Sequence, residues 1–206
     1  AGCKVKVGGL SAEQDAARVE AARKGAGPEF WIAVDANRGW PVAEAVKFAR
    51  LIEKYDIAWF EEPCLWYDDA AMMAQVRSRT TIPINAGQSE MTAAGMRRLV
   101  ESGAVDIVNF DASEAGGVTE WRRVATLCQL RGLQVGHHEE AQIAMQMIAA
   151  IPNGVCVECF EPARDPIWAG LIANRPDPKG GIIPIPQGPG FGLELNWDMV
   201  KRYRVN

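Results

Sequence analysis

The chain has 206 residues, with 22 basic against 26 acidic side chains, a net charge of −4 and both signs interspersed. That balance argues against nucleic acid or an anionic membrane as the main partner, no apolar run reaches the length of a membrane span, and the opening AGCKVKVGG lacks the apolar core of a secretion signal. One domain with an ample core is expected, in the cytoplasm.

In chain order, β-like runs alternate with amphipathic stretches. CKVKV (3–7) is the first predicted strand, and SAEQDAARVEAARKG follows as a helix opened by a capping box of Ser11 with Glu13 or Gln14. FWIAVDA (30–36) leads into PVAEAVKFARLIEKY, and IAWFEE (57–62) into DDAAMMAQVRSR. IPINAG (82–87), VDIVNFD (105–111) before VTEWRRVATLCQLRG, LQVGH (133–137) and VCVECF (155–160) complete the series. Strands separated by helices call for parallel pairing. Their even spacing, without a Gly-x-Gly-x-x-Gly turn, favours a (β/α) barrel over a doubly wound sheet. The five cysteines, Cys3, Cys64, Cys128, Cys156 and Cys159, are scattered rather than framed. That disfavours disulfides, and Cys156 and Cys159, on opposite faces of a strand, are expected to be small buried hydrophobes, with zinc or redox chemistry a remote alternative.

The ends of the predicted strands carry a second regularity. Lys6, Asp35, Glu61, Gln88, Asp111, His138 and Glu158 follow one another at spacings of 29, 26, 27, 23, 27 and 20 residues, one polar residue per βα unit. Taken singly, an acidic residue after a strand reads as a helix cap. Seven in phase, a lysine and a histidine among them, point instead to the C-terminal face of a barrel, where chemistry is done.

The same segments resemble the mandelate racemase subgroup of the enolase superfamily. KVKVG is similar to its K-x-K motif on the second barrel strand; VDAN, FEEP and NAGQS stand where three metal ligands are placed; DIVNFDASEAGG, GLQVGHH and CVECF match the sixth, seventh and eighth strands. The resemblance implies a TIM-type (β/α)7β barrel domain of which this chain supplies strands 2 to 8, without the N-terminal α+β capping domain. A fragment is therefore expected, with residues 161–206 as a C-terminal extension packing on the barrel. It further implies Mg2+ held by Asp35, Glu61 and Gln88, a small-molecule carboxylate substrate, and a homo-oligomer when full length. The fifth-strand ligand is usually glutamate, so Gln88 is a departure, and Glu90 is the alternative third carboxylate.

Three oxygen donors from consecutive strands with open positions suit magnesium. Asn37 shares the face of Asp35 and is a candidate partner behind the ligands, as is Glu62. Lys4 and Lys6 share a strand face, and like charge with partial burial favours a neutral amine at Lys6, the candidate base, with Lys4 beside it. His138 takes the resemblance's catalytic position with Asp111 as its orienting partner, and His137 points toward a neighbouring loop or the substrate; a one-residue slip of register would exchange the two histidines. Glu158 is placed to hydrogen-bond a substrate oxygen. Together these imply abstraction of the proton α to a carboxylate and dehydration of an aldonate or aldarate to a 2-keto-3-deoxy acid, a carbon–oxygen lyase reaction. A racemase or epimerase acting by the same route, and an inactive incomplete barrel, are the alternatives.

Overall fold

The structure, a computed structural model, describes residues 1–205. Seven strands, β1 (Gly2–Lys6), β2 (Trp31–Asp35), β3 (Ile57–Glu61), β4 (Ile84–Ala86), β5 (Ile107–Val108), β6 (Gln134–His137) and β7 (Gly154–Val157), form one sheet in chain order. Every neighbouring pair is parallel. Six helices fill the intervals: α1 (Ala12–Ala26), α2 (Val42–Ile52), α3 (Asp69–Arg77), α4 (Ala93–Glu101), α5 (Val118–Leu130) and α6 (Ala141–Ala149). The result is a curled half-barrel whose strand ends share one mouth, as the alternation of strand and helix predicts.

Local chemistry explains the units. Ser11 Oγ accepts from the Gln14 amide at 3.3 Å and Gln14 Oε1 accepts from the Ser11 amide at 3.2 Å, so Gln14 completes the capping box of α1. Ala12, Ala16 and Val19 then turn inward along that helix. The central strands are buried on both faces, as a parallel sheet under helices requires. Trp40, Phe48 and Phe60 pack beneath the mouth with ring centroids 4.7 and 5.4 Å apart along the series.

The strands are shorter than the apolar runs suggest, because side chains take over ladder bonds at their ends. The Ile84 amide donates to Asp106 Oδ2 at 2.9 Å and the Gln88 amide to Asn109 Oδ1 at 3.2 Å. β7 stops at Val157, so Cys159 lies past the ladder and is exposed, which corrects the expectation that it is buried, while Cys156 is half-buried. All five cysteines are free.

After β7 come α7 (Pro166–Leu171) and α8 (Trp197–Tyr203), joined by Pro- and Gly-rich chain. Gln146 on α6 donates to the carbonyl of Pro186 at 3.0 Å, which ties this segment to the barrel's outer layer. Gly181 (φ 81°) passes so close to Ala1 that a Cβ there would fall 2.5 Å from the Ala1 Cβ. Asn206, the last residue of the expected extension, lies outside the described residues. Among the described residues, no helix is long and apolar enough to cross a membrane.

Candidate active site

Lys4 is the hub of the mouth. Its side chain is 11% exposed, and its Nζ lies 2.6 Å from Glu61 Oε1, 3.0 Å from Glu158 Oε1 and 3.4 Å from Asp35 Oδ2. Burial alone would favour the neutral amine, but Glu61, Glu158 and Asp35 outweigh it and raise the pKa well above the ordinary lysine value. Three carboxylates, rather than a second ammonium, dominate the surroundings of Lys4. Lys6, on the same face and 55% exposed, donates to Asp35 Oδ2 and to Asn37 Oδ1.

Glu61 is almost wholly buried, and that burial raises its pKa despite Lys4. It also accepts from Asn109 Nδ2 at 2.9 Å and Trp59 Nε1 at 3.0 Å. Asn109 thus links Glu61 to the Gln88 amide. The Gln88 side chain donates through Nε2 to Glu62 Oε2 at 3.2 Å, and its Oε1 is buried without a donor. Glu62, also buried, accepts from Arg38 Nη2 and Ser89 Oγ, both at 3.0 Å. Glu90 is tied elsewhere: its Oε1 lies 3.2 Å from Arg98, which in turn binds Asp69, the second partner of Arg38. Of the two residues weighed at the end of the fourth predicted strand, Gln88 keeps a free oxygen and Glu90 does not face Glu61's network.

The histidines differ sharply. His138 Nδ1 lies 2.9 Å from Asp111 Oδ2, while Asp111 Oδ1 accepts from the Ser113 amide and hydroxyl, both at 2.7 Å. Burial lowers the His138 pKa, but the bond to Asp111 and the charges of Glu158 and Glu139 reverse this and raise it above 6.5. His138 Nε2 stands 3.8 Å from Glu158 Oε2. His137 spends both ring nitrogens on backbone: Nε2 accepts from the Ala112 amide at 3.1 Å and Nδ1 donates to the His138 carbonyl at 2.7 Å. It is buried against Trp121. Its ring turns to the loop that follows the neighbouring strand β5, where the Ala112 amide meets it.

Residues 1–199 match the Enolase C-terminal domain-like family. The chain belongs to that family. It is 31% identical over 215 aligned residues to the D-galactarolactone cycloisomerase of Agrobacterium fabrum, covering 98% of this chain and 56% of that protein. A crystal structure of a mandelate racemase/muconate lactonizing enzyme from a marine actinobacterium, in complex with magnesium, is 47% identical with a TM-score of 0.96, covering 100% of this chain and 58% of that one. The L-talarate dehydratase of Polaromonas sp. JS666, complexed with Mg and L-glucarate, is 31% identical with a TM-score of 0.89, over 97% of this chain and 54% of that one. The chain spans about half the length of the curated relatives it matches.

Within this enolase-family frame, the donors at the mouth can be tested against a divalent cation. Asp35, Glu61 and Gln88 offer oxygen only, the Gln88 oxygen is buried without a partner, and the Lys4 ammonium already touches both carboxylates as a stand-in cation. That set fits a hard cation. Asp111, Glu114 and His138 also bring one donor atom each within 4.8 Å of one another, but His138 Nδ1 is already engaged by Asp111.

Glu158 Oε2 is buried without a donor, beside a cleft of about 330 Å³ lined by Glu139, Glu158, Phe160, Arg164, Trp168 and Arg175. Glu140 lies on the same cleft, where burial first, then the charges of Asp111 and Glu139, push its pKa up to about 7. A carboxyl whose folded pKa is raised loses stability as pH climbs, because between 4.5 and about 7 the unfolded chain ionises first. Glu140→Gln is therefore expected to raise the melting temperature at pH 8 and to leave it unchanged near pH 4, as read by thermal melts at both pH values. No rise at pH 8 would mean that the carboxylate is fully solvated.

Several functional neighbours were not legible as site residues. Asn109 is two positions before Asp111, hence in phase with it along an extended run, and that alternation was the signal for it. Trp59, two positions before its partner Glu61 on β3, carried the same signal, whereas Arg38 and Ser89 gave none, since their shared partner Glu62 comes from another βα unit.

Proposed function

We propose that this chain carries the metal- and base-bearing part of a magnesium-dependent lyase that removes the proton α to a carboxylate and dehydrates an aldonate or aldarate to a 2-keto-3-deoxy acid. The observation that carries the reading is the hydrogen-bonded His138–Asp111 pair on one flank of a mouth whose other flank presents Lys6, with an oxygen-donor set between them. The talarate dehydratase and the cycloisomerase among its relatives support it.

Asp35, Glu61 and Gln88 would hold the cation. When bound, magnesium supplies positive charge to the substrate carboxylate and makes the α-proton more acidic. Lys6, at the exposed end of β1, is the group placed to take that proton. Lys4, kept charged by three carboxylates, instead fixes Glu61 and Glu158 in place. His138, oriented by Asp111 at Nδ1, donates through Nε2 to the departing β-hydroxyl. Glu158 offers its unpartnered oxygen to a substrate hydroxyl. If the substrate has no β-hydroxyl, the same two flanking groups would serve a racemase or epimerase of a 2-hydroxy acid, by returning the proton to the opposite face.

The test is a panel of aldonic and aldaric acids with magnesium, read by formation of 2-keto-3-deoxy product and by exchange of the α-proton in deuterium oxide. Product with at least one acid is expected. Exchange without product would assign racemisation, and neither signal with any acid would leave an inactive barrel.

A further inference from the structure

Where three carboxylates would make a metal site indifferent to orientation, Gln88 brings an amide, which has a right end and a wrong end. Its nitrogen can only donate and its oxygen only accept. Glu62 faces the nitrogen. That carboxylate already accepts from Arg38 Nη2 and Ser89 Oγ, both at 3.0 Å, and takes Gln88 Nε2 at 3.2 Å. Turning the amide over would set oxygen against oxygen. The Gln88 oxygen is consequently left buried with no protein donor.

The acceptor itself cannot turn away. Arg38 is buried, reaches Asp69 at 2.7 Å with its other arm, and lies with its guanidinium carbon 3.6 Å from the Trp66 ring centroid. Asn109 holds the Gln88 backbone amide at 3.2 Å. We propose that Glu62 is a positioning residue that selects which arm of the Gln88 amide is offered to a divalent cation, so that Glu62 and Gln88 work as a matched pair. This rests on the cation reading of Asp35, Glu61 and Gln88 given above.

Glu62→Gln removes the selection. Its new carbonyl is held by the Arg38 guanidinium, and its new NH2 faces Gln88, which must then turn its own oxygen inward and its nitrogen toward the cation. Gln88→Glu has no wrong end and is immune to this. The experiment is therefore a four-protein cycle of wild type, Glu62→Gln, Gln88→Glu and the double variant. Magnesium dissociation constants are read by titration calorimetry, and folding by thermal melts in EDTA.

Glu62→Gln is expected to weaken magnesium by about tenfold or more when Gln88 is present, the scale of residues that orient ligands. In the Gln88→Glu background the same change is expected to cost less than about threefold, a coupling only interacting sites show. An equal loss in both backgrounds would make Glu62 a distant negative charge and overturn the pairing, as would no loss in either. No magnesium uptake by wild type would instead overturn the cation reading, and the pairing with it. Should Glu62→Gln fail to fold, wild type decides: the Gln88 side-chain NH2 signal, identified by its loss in Gln88→Glu, is expected to keep a slowly exchanging proton with and without magnesium. Exchange at the rate of a free amide would overturn the proposal.

Discussion

Replacing His138 with asparagine is expected to lower turnover of an acid sugar at saturating magnesium by about a hundredfold or more, the usual scale for a general acid or base. Asparagine keeps some volume and hydrogen bonding but cannot carry a proton to a leaving hydroxyl. Asp111→Asn is expected to follow it, because an amide at 2.9 Å from Nδ1 no longer supports the imidazolium. The pH profile separates the two effects. Since the His138 pKa is raised, its charged form persists above pH 6.5, and both the rate and its share of stability fall as pH rises through the raised value. Asp111→Asn should move that alkaline fall to lower pH. His137→Asn should cost stability rather than chemistry, because its ring closes two backbone bonds and sits where burial lowers its pKa. A larger loss of rate from His137 than from His138 would exchange their roles, and small losses from both would leave Lys6 as the only base.

Lys4→Met is expected to destabilise the fold by about 3–5 kcal/mol in EDTA at pH 8, the cost of removing one partner from a buried charge cluster. The ammonium is the shared counter-ion of Glu61, Glu158 and Asp35, and methionine fills similar space without the charge. The sign follows from both groups. Lys4, with its folded pKa raised above 10.5, stabilises the protein fully below that value. Glu61, with its folded pKa raised above 4.5, costs stability as pH climbs past 4.5, and removing Lys4 deepens that cost. The loss should therefore shrink toward pH 5, where Glu61 takes a proton. Magnesium should restore part of it at pH 8, because a divalent ion replaces the missing positive charge. Urea titrations at the two pH values, with EDTA and with magnesium, read all three effects. A variant as stable as wild type in EDTA at pH 8 would show that the carboxylates need no counter-ion.

Strand order and the mouth were readable because a charged or polar residue recurs at or just past the end of each strand. Lys6, Asp35 and Glu61 close β1, β2 and β3, and their register places Lys6 opposite Asp35 and Asp35 opposite Glu61. The histidine pair was harder, since strand alternation sends one of two adjacent residues inward and a single-residue slip reverses them. In the structure His137 packs against Trp121 of α5 and His138 faces Asp111 and Glu158 at the mouth. What sequence withheld was the company each charge keeps. Lys4 beside Lys6 suggests mutual repulsion until the fold brings Glu61 and Glu158 against it from distant units. Arg38, whose partners Glu62 and Asp69 lie 24 and 31 residues away, offered no local pattern. The segment after β7 was opaque for another reason: its prolines and glycines break both periodicities on which such readings rest.

Asn37, Arg38, Glu62, Glu139 and Glu140, all directly after β2, β3 and β6, hold φ values of 42°, 62°, 40°, 47° and 51°. Side chains larger than glycine adopt that left-handed backbone at a cost of roughly 1–3 kcal/mol each. A programme of thermal improvement guided by backbone preference alone would place glycine at all five, yet at Arg38 and Glu62 the relief is outweighed by the roughly 3–5 kcal/mol cost of breaking a buried ion pair. The molecule would also lose the guanidinium of Arg38, the carboxylate of Glu62 and the amide of Asn37. Backbone preference alone is therefore a misleading guide at these positions, because the strained residues carry side chains that hold both the fold and the proposed site together.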